Sequence, residues 1–347
     1  MSRATATARR SWRGALVVGV TAVVLAGCGS AKVVVGPHLT GTPSLSIDVA
    51  LQSVACTTSG TCVAAGANGS PVAPSAVVQV SRANGDWSAP RVPSTLVNSI
   101  SSAACWSSAC LVGGTQLSGD TLWLVSPRTM TVTTSPTPHA GKGVSALSCF
   151  AASTCAVVDT TGITGDARLS FTSDAGTTWT TPESMSWTTG VSVTALSCTD
   201  TMNCLVAATN SSRQALLEVT HDGGMTWAVR TVPSTWISVN SLTCVALRCV
   251  GLVTTAAQSL VERTSTFARV WKGVALSEQA NDVACARLSR CTVVGQTANQ
   301  APWLATLQGN HVTSVALKYV PSPLLGVACG VKVCSAIAAS TVVSLRP

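Results

Sequence analysis

The chain is poor in aromatic and in charged residues. Its 347 residues include three Phe, one Tyr and ten Trp, and Asp, Glu, Lys and Arg together make up 10%. Segments rich in Glu, Lys and Leu, typical of long helices, are missing, whereas Ser, Thr, Val, Ala and Gly are abundant, so the composition favours an all-β protein. No cluster of Lys and Arg with interleaved aromatics follows residue 13. Nucleic-acid binding is therefore not expected.

The signatures of catalysis and metal binding are also scarce. There is no Gly-x-Ser-x-Gly motif, and the four histidines are far apart, where we expect solvated loops: His38, His139, His221 and His311. Five of the thirteen acids fall near predicted loops: Asp120, Asp159, Asp166, Glu183 and Asp282. Any two of them could face each other across a cleft, as glycoside hydrolysis requires, but the sequence does not show such a pair. We predict no catalytic residue, no metal site and no cofactor.

A short cysteine hairpin recurs seven times. In its clearest copy, residues 144–158, an apolar run enters Cys149, five residues form a turn, and Cys155 opens a second apolar run. The seven pairs are Cys56 with Cys62, Cys105 with Cys110, Cys149 with Cys155, Cys198 with Cys204, Cys244 with Cys249, Cys285 with Cys291, and Cys329 with Cys334. The first cysteines of successive pairs are 41 to 49 residues apart. Such a period indicates a repeat architecture.

The cysteine count favours an exported protein. Fourteen of the fifteen cysteines belong to the seven pairs, which leaves Cys28. Zinc knuckles are usually paired with one another, and here no two histidines are close enough to complete such a site. We therefore predict seven hairpin disulfides formed in an oxidising compartment. Each closes a small loop, so each adds only about 2 kcal/mol of stability.

One repeat contains four predicted strands. In the fourth copy, alternating or apolar segments at 191–198, 204–208, 215–220 and 227–232 are separated by short turns, which is the pattern of a β-meander. Seven such units predict a seven-bladed β-propeller of four-stranded antiparallel blades over residues 32–347. We name the strands of each blade A to D from the axis outwards, so that each disulfide joins A to B.

The turn before the fourth strand carries a motif. Segments 172–179 and 220–227 follow the pattern S/T-x-D-x-G-x-T-W, and 81–87 is a degenerate copy. They resemble the Asp-box of the bacterial neuraminidase (BNR) repeat, found in sialidases, photosystem II assembly factors and many secreted propellers. In such a box the Asp accepts backbone N–H groups, the Gly permits positive φ and the Trp packs over the hairpin. These structural roles are predicted for Asp174, Gly176, Trp179, Asp222, Gly224 and Trp227.

The N-terminal segment resembles a bacterial lipoprotein signal. Four arginines precede an apolar run at 15–27, which is too short to span a bilayer and ends in Leu25-Ala26-Gly27-Cys28. This resembles the lipobox, in which the cysteine is acylated and becomes the first mature residue. The resemblance implies a signal peptide at 1–27, a lipid on Cys28, a linker at 28–31 and a location on the extracytoplasmic face of the cell membrane. An ordinary secretory signal is the alternative.

The two ends of the chain predict how the ring closes. The seventh unit has A, B and C segments but no D segment, and residues 32–36 precede the first blade. We expect residues 32–36 to supply the missing strand D, which would remove an exposed edge. This closure would turn the disulfide turns towards the membrane and the D–A and B–C loops outwards. On that outward face Trp187, Trp236 and Tyr319 are candidate stacking residues for a ligand, although Trp236 also suits a core position in strand A.

Sialidase activity is not carried over from the resemblance. Sialidase activity would imply three arginines that bind a carboxylate, a Tyr/Glu nucleophile couple and an Asp acid/base. The chain has one tyrosine, Tyr319, and its first arginine after the signal is Arg82. We therefore expect a non-enzymatic binding or scaffold propeller, attached to the membrane through Cys28, with an envelope or membrane protein as partner. The alternative is a carbohydrate-active propeller, either a glycan-binding lectin or a glycosidase.

Overall fold

A computed structural model describes residues 49–68, 74–81, 87–89, 99–116, 119–139, 143–161, 166–182, 191–317, 320, 322–331 and 333–345. Within these ranges the chain forms 26 β-strands and no helix. Accordingly, no membrane-spanning helix is found in the part of the chain that the structure describes.

The strands form seven separate antiparallel sheets, which are the seven blades, and in each blade they are hydrogen-bonded in chain order. The A strands are β1 (Val49–Cys56), β5 (Ser99–Cys105), β9 (Gly143–Ala151), β12 (Ser192–Cys198), β16 (Trp236–Val245), β20 (Gln279–Arg287) and β24 (Leu324–Cys329). The B strands are β2 (Cys62–Asn68), β6 (Cys110–Gln116), β10 (Thr154–Thr161), β13 (Cys204–Thr209), β17 (Arg248–Thr255), β21 (Arg290–Gln296) and β25 (Cys334–Ala338).

The outer strands complete the blades. The C strands are β3 (Ala76–Ser81), β7 (Gly119–Ser126), β11 (Asp166–Thr172), β14 (Ala215–Thr220), β18 (Ser259–Thr264), β22 (Pro302–Gln308) and β26 (Val342–Leu345). The D strands are β4 (Trp87–Ser88), β8 (Thr131–Ser135), β15 (Ala228–Arg230), β19 (Lys272–Ala275) and β23 (His311–Ala316). In blade 3 an isolated bridge between Phe171 and Thr180 stands where strand D is expected.

The predicted all-β, seven-bladed propeller of four-stranded blades is confirmed. Blades 1, 2, 4, 5 and 6 show all four strands, and the described residues of blades 3 and 7 provide strands A, B and C. The closing strand predicted at 32–36 and the predicted limits at 27/28 and 31/32 lie outside the described residues.

Hydrophobic packing holds the blades to one another. Seven clusters of buried apolar side chains each combine residues of two neighbouring blades. In strand β2, Val63 and Ala65 pack towards blade 2, whereas Ala64 between them packs towards blade 7. Because both faces of the B strands are buried, their sequences are almost uninterruptedly apolar.

Blade 7 joins blade 1 directly. Their shared cluster contains Leu51 and Trp87 from blade 1 and Ile337 from blade 7. The backbone N–H of Leu51 donates a 2.7 Å hydrogen bond to the carbonyl of Ala339. Among the described residues, this junction closes the ring.

All seven predicted disulfides are formed, and in each blade the two cysteines lie directly opposite each other in strands A and B. With separations of five or six residues, each bond closes only its own turn. The disulfides therefore stabilise individual hairpins, and other contacts must hold one blade to the next. The bonds join Cys56 to Cys62, Cys105 to Cys110, Cys149 to Cys155, Cys198 to Cys204, Cys244 to Cys249, Cys285 to Cys291, and Cys329 to Cys334.

The sequence pattern predicted that the second cysteine of each pair is the first residue of strand B. This prediction is wrong in three blades. In blades 3, 5 and 6 strand B begins one residue earlier, so that Cys155, Cys249 and Cys291 are the second residues of their strands. The reason is that the ladder continues past the disulfide in these blades, for example through the pairing of Val245 with Arg248. All three cysteines are still buried. The disulfide pairing itself is therefore unaffected.

The blades present two distinct faces. Because neighbouring strands are antiparallel, the A–B turns and the C–D turns lie at one end of each blade, called here the disulfide-turn face, and the B–C and D–A connections lie at the other, the loop face. In blades 3 to 6 an N–H of the C–D turn donates at 2.9 to 3.2 Å to a carbonyl of the A–B turn: Ala175 to Ser153, Gly223 to Met202, Phe267 to Leu247, and Gly309 to Ser289. These bonds connect the turns of the disulfide-turn face within each blade.

Candidate functional site

The seven A strands enclose a central channel of about 410 Å³. The residue four positions before the first cysteine of each blade contributes to its wall, and six of these seven residues are polar: Gln52, Ser101, Ser145, Thr194, Asn240, Asn281 and Leu325. A polar channel along the axis is the first place where a ligand of this ring would be sought.

Each of these channel residues is at a β-bulge. The register between strands A and B shifts by one residue at this position in all seven blades. In blade 1, for example, Leu51 pairs with Gly66 and Ser53 with Ala65, so Gln52 has no cross-strand partner. A side chain on Gly66 would collide with the carbonyl oxygen of Ala50, because the Cβ would lie 2.0 Å away. The bulge therefore turns one residue of each inner strand out of the ladder.

Four of the seven bulged residues hydrogen-bond to the backbone of the next blade. In four blades the side chain bonds to the residue that precedes the next bulge, with three of the bonds at 2.6 to 2.7 Å. The pairs are Gln52 Oε1 with the N–H of Ile100, the Ser101 hydroxyl with the carbonyl of Val144, the Thr194 hydroxyl with the carbonyl of Val239, and Asn281 Nδ2 with the carbonyl of Leu324. The polar channel wall is thus engaged in joining the blades.

A second set of bonds reinforces these junctions. It comes from residues one or three positions before the first cysteine of a blade and also reaches the next blade's backbone. The donors and acceptors are Leu147 N–H to Ser102 Oγ, Ser241 Oγ to Val283 O, Cys198 N–H to Ser148 Oγ and Cys244 N–H to Ser197 Oγ, at 2.9 to 3.0 Å. With these, each of the seven junctions has at least one hydrogen bond that joins the two blades.

Asp282 is the single acid among the described residues that line the channel. Its Oδ1 accepts a 2.8 Å bond from the N–H of Val283, and its Oδ2 accepts one of 2.8 Å from the N–H of Val327 in blade 7. Burial raises the pKa of Asp282 to about 6, and the hydrogen bonds from Val327, Ser241 and Val283 offset only part of that effect. The carboxyl group of Asp282 therefore connects blade 6 to blade 7 through its hydrogen bond with Val327.

A His–Asp pair lies between blades 2 and 3. His139 Nδ1 is 3.1 Å from Asp159 Oδ2, and the Asp159 side chain is fully buried. Burial raises the pKa of Asp159, whereas the hydrogen bond and charge of His139 and the charge of Arg168 lower it. The second oxygen, Oδ1, has no hydrogen-bond partner among the described residues. His139 is therefore not the solvated loop residue that we expected from the sequence.

The two motif turns use their aspartates internally. Asp174 accepts bonds from the N–H and hydroxyl of Thr178 at 2.8 and 2.6 Å. Asp222 accepts the same pair from Thr226 at 2.9 and 2.5 Å. Hydrogen bonds from the threonine side chains, followed by their N–H groups, lower the pKa of both aspartates to about 2. Both carboxylates are therefore ionised and bound within their own turns.

The glycines and tryptophans of these turns contact the preceding strands and loops. Gly176 and Gly224 have φ of 86° and 89°, which strongly favours glycine. The carbonyl of Gly176 accepts a 2.6 Å bond from the hydroxyl of Ser135 in blade 2. The indole N–H of Trp179 donates to the carbonyl of Pro136 at 2.8 Å, and that of Trp227 to Gly224 at 3.1 Å. The turn of blade 3 thus also fastens that blade to blade 2.

The predicted stacking residues are not brought together by the described structure. Trp236 is 2% exposed and lies in the cluster between blades 4 and 5, where its ring meets the edge of Trp271 at 5.6 Å. Burial removes its ring from solvent, so the ligand-binding role considered for Trp236 is corrected to the core role. The other two candidates, Trp187 and Tyr319, and the predicted lipid site Cys28 lie outside the described residues.

Sequence reasoning missed the ring of bulges and the His139–Asp159 pair. A signal for the bulges was present, because a polar residue stands four positions before the first cysteine in six blades. The contacts of His221 were also missed. This residue is exposed, as expected of a loop histidine, but its ring also lies 5.3 Å from that of Phe267 and its Nδ1 is 2.7 Å from Asn203 Oδ1.

Comparison with known proteins establishes the fold. No protein-family model matches the chain, and no curated protein matches it in sequence. The structure is similar to YCF48 bound to D1 peptide, with 13% identity, a TM-score of 0.61, and coverage of 86% of this chain and 92% of that chain. It is also similar to virginiamycin B lyase from Staphylococcus aureus, with 8% identity, a TM-score of 0.61, and coverage of 86% and 96%.

A third similar structure is a GH74 enzyme from Niastella koreensis, with 11% identity and a TM-score of 0.62. The match covers 85% of this chain and 52% of that chain. At these identities the likeness identifies the chain as a β-propeller and shows the fold alone. Because the similar structures include a peptide complex and two enzymes, the fold does not decide between binding and catalysis.

The described channel wall offers few reactive groups. Glycosidases need two carboxyl groups on either side of one bond, whereas the described channel wall carries Asp282 alone. Among the described residues, no group of three or more His, Cys, Asp or Glu side chains is placed to hold a metal ion. The structure is a ring in which hydrogen bonds join each blade to the next. The B–C and D–A connections lie on its loop face.

Proposed function

We propose that the chain is a non-enzymatic binding or scaffold propeller, lipid-anchored on the extracytoplasmic side of the membrane, that holds an envelope or membrane protein on its loop face. The observation that carries this proposal is the use of the channel's polar side chains. Gln52, Thr194 and Asn281 are each committed to the backbone of the next blade. A ring built this way supports a binding surface, because its inner groups serve rigidity.

The seven disulfides support the proposed location. Structural disulfides form and persist in oxidising compartments and are rare in the cytosol. All fourteen cysteines of the repeats are paired, so Cys28 is the one that remains for another purpose. Its place at the end of the apolar run at 15–27 fits acylation. A lipid and an exported ring together place the loops within reach of other envelope proteins.

The similarity to YCF48 supports this mode of action by analogy. That propeller is known in complex with a D1 peptide, and the Asp-box resemblance pointed to the same group of assembly factors. A propeller of this fold is therefore able to hold a peptide of another protein. We extend only the mode to this chain, and the identity of its partner is open.

The test is affinity capture of the full chain, tagged at its C-terminus, from chemically crosslinked membranes. We expect one envelope or membrane protein to be enriched with the unaltered chain and lost with Cys28→Ala, which removes the acylated position. Trp187→Ala and Tyr319→Ala, on the loop face predicted from sequence, are expected to lower recovery without changing membrane attachment. Recovery of the tagged chain alone would contradict the scaffold function.

A carbohydrate-active propeller is the second candidate. Burial raises the pKa of both Asp159 and Asp282, and a carboxyl with a raised pKa is suited to act as a general acid. The similarity to GH74 propellers supports this candidate to the extent of the fold. The test is turnover of xyloglucan and other β-glucans by the full chain. Turnover that is abolished by Asp159→Asn or Asp282→Asn would favour the enzyme over the scaffold.

A further inference from the structure

Exposed apolar side chains are concentrated on the disulfide-turn face. Of the eight large hydrophobic side chains that are exposed among the described residues, six lie in its turns or at a strand end beside them, and five of these belong to blades 4 and 5. The exposed fractions of four are 61% for Met225, 58% for Val245, 53% for Leu247 and 59% for Val270. Folding gains nothing from such exposure, and an exposed cluster usually marks a contact surface.

These turns form a continuous surface from blade 4 to blade 6. The rings of His221 in blade 4 and Phe267 in blade 5 are 5.3 Å apart, and the N–H of Phe267 donates to Leu247 at 2.9 Å. The guanidinium of Arg263 in blade 5 donates to the carbonyl of Gly309 in blade 6. The apolar side chains therefore stand on one connected layer of turns.

Positive charge adjoins the apolar residues. Arg248 and Arg269 in blade 5 and Arg287 in blade 6 are exposed on the same face, and Arg290 beside them is half-buried. The described turns of blades 5 and 6 on this face, at 245–248, 265–271, 287–290 and 309–310, contain no acid. In blade 4, Asp200 and Asp222 are occupied by hydrogen bonds within their turns. The net charge of this surface in blades 5 and 6 is therefore positive.

We propose that this surface docks the propeller onto a membrane that contains anionic lipids. The docking patch consists of the exposed residues Met225, Val245, Leu247, Val270, Arg248, Arg269 and Arg287. The apolar side chains enter the boundary between headgroups and acyl chains, while the guanidinium groups bind lipid phosphates. Charge complementarity selects the occupant, since each basic residue near an anionic surface contributes about 1 kcal/mol.

The chain length before the first blade permits this docking. Residues 29–48 separate the predicted anchor from β1, and twenty extended residues reach up to about 70 Å, well beyond the length of one blade strand. The disulfide-turn face can therefore lie on the membrane that holds the N-terminus. The inference goes beyond the proposed function, because the patch binds the membrane whether or not Cys28 is acylated and whichever partner the loop face holds.

The test is hydrogen exchange of the full chain bound to vesicles. One set is phosphatidylcholine and the other an equal mixture of phosphatidylcholine and phosphatidylglycerol. We expect the backbone amides of the turns at 222–226, 245–248 and 265–271 to exchange more slowly on the mixed vesicles. Turns of the loop face at 210–214 and 255–258 are internal controls and are expected not to change. High salt is expected to remove the protection, since it screens the arginines.

Matched variants separate docking from anchoring. Arg248→Gln and Arg269→Gln are each expected to lower the protection of the patch about fivefold, and Arg213→Gln, on the loop face, to leave it unchanged. Val270→Ser is expected to lower it, and Val229→Ser, on the outer edge of blade 4 and 66% exposed, is its control. All of these residues are on the surface, so the fold is kept.

Three outcomes would overturn the proposal. They are equal exchange of the patch on both vesicle types, protection of the loop-face turns instead, and protection that survives the arginine substitutions. None of these outcomes would change the capture of a partner on the loop face. The experiments therefore test the proposed function and the docking patch separately.

Discussion

The hydroxyl of Thr194, in the inner strand of blade 4, donates a 2.6 Å hydrogen bond to the carbonyl of Val239, in the inner strand of blade 5. Thr194 is the residue that the β-bulge of its strand displaces from the ladder. The same displaced position makes the corresponding bond from blades 1, 2 and 6. In these four blades the bulge therefore turns one polar side chain towards the neighbouring blade.

The Thr194 bond is expected to contribute measurably to stability. Thr194→Val keeps the shape of the side chain and leaves the carbonyl of Val239 without this donor, which is expected to lower the free energy of unfolding by about 1 to 3 kcal/mol. Urea unfolding with the disulfides intact measures the loss. Thr209→Val is the control, because the hydroxyl of Thr209 has no hydrogen-bond partner among the described residues. Equal losses in the two variants would refute the role of the junction bond.

Asp282 is expected to make stability depend on pH. Its pKa is about 6 in the folded chain, against an ordinary value of 3.8. The folded state therefore binds the proton more tightly, so the free energy of unfolding decreases as pH rises from about 4 to 6 and then levels off. The ionised carboxyl costs up to about 3 kcal/mol at pH 7. Asp282→Asn is expected to flatten this part of the stability curve.

The contrasting variant for Asp282 is Asp200→Asn. Burial disfavours the ionised form of Asp200, but hydrogen bonds from Asn203 and Met202 outweigh that effect and lower its pKa. The contribution of Asp200 is therefore present at neutral pH and lost as pH falls, opposite in sign to that of Asp282. Thermal unfolding between pH 3 and 8 compares the two. If Asp282→Asn left the slope between pH 4 and 6 unchanged, the junction carboxyl would not be the group that titrates.

Gly176 is expected to tolerate no side chain. Its φ of 86° disfavours other residues, and a Cβ would lie 2.5 Å from the hydroxyl oxygen of Ser135. Gly60 has a similar φ of 91° but nothing within 4 Å of its Cβ, so it provides a matched control. Gly60→Ala is expected to cost about 1 kcal/mol for the strained backbone, and Gly176→Ala about 1 to 3 kcal/mol more. Chemical denaturation measures both, and equal costs would contradict the contact between blades 2 and 3.

The cysteine spacing predicted the blades and their disulfides because a bond across a turn of four or five residues needs only local geometry. The ring closure at 32–36 and the orientation derived from it stay predictions. A polar residue recurs at the bulge position in six blades, but side chains as different as those of Gln52, Thr194 and Leu325 occupy it, so the recurrence did not identify a bulge. The His139–Asp159 pair depends on how two loops meet, which the sequence does not specify.

The exposed side chains of the disulfide-turn face also escaped prediction. Met202 and Leu247 occupy turns whose counterparts in blades 1 to 3 carry Ser or Thr, so they do not recur with the repeat. The exposed apolar residues therefore have no periodic pattern in the sequence from which they could be predicted. Their significance appears only when blades 4, 5 and 6 are placed side by side and the arginines of neighbouring turns are seen to adjoin them.

Site-specific photo-crosslinking in the native membrane shows whether the loop face holds a protein partner. A photoreactive residue is placed at Ser234 or Ala257, both exposed on the loop face, and at Val229 on the outer edge of blade 4 as the control. We predict a crosslink to one envelope or membrane protein from Ser234 and Ala257 and none from Val229. Crosslinks from Val229 alone, or none from the loop face, would contradict it.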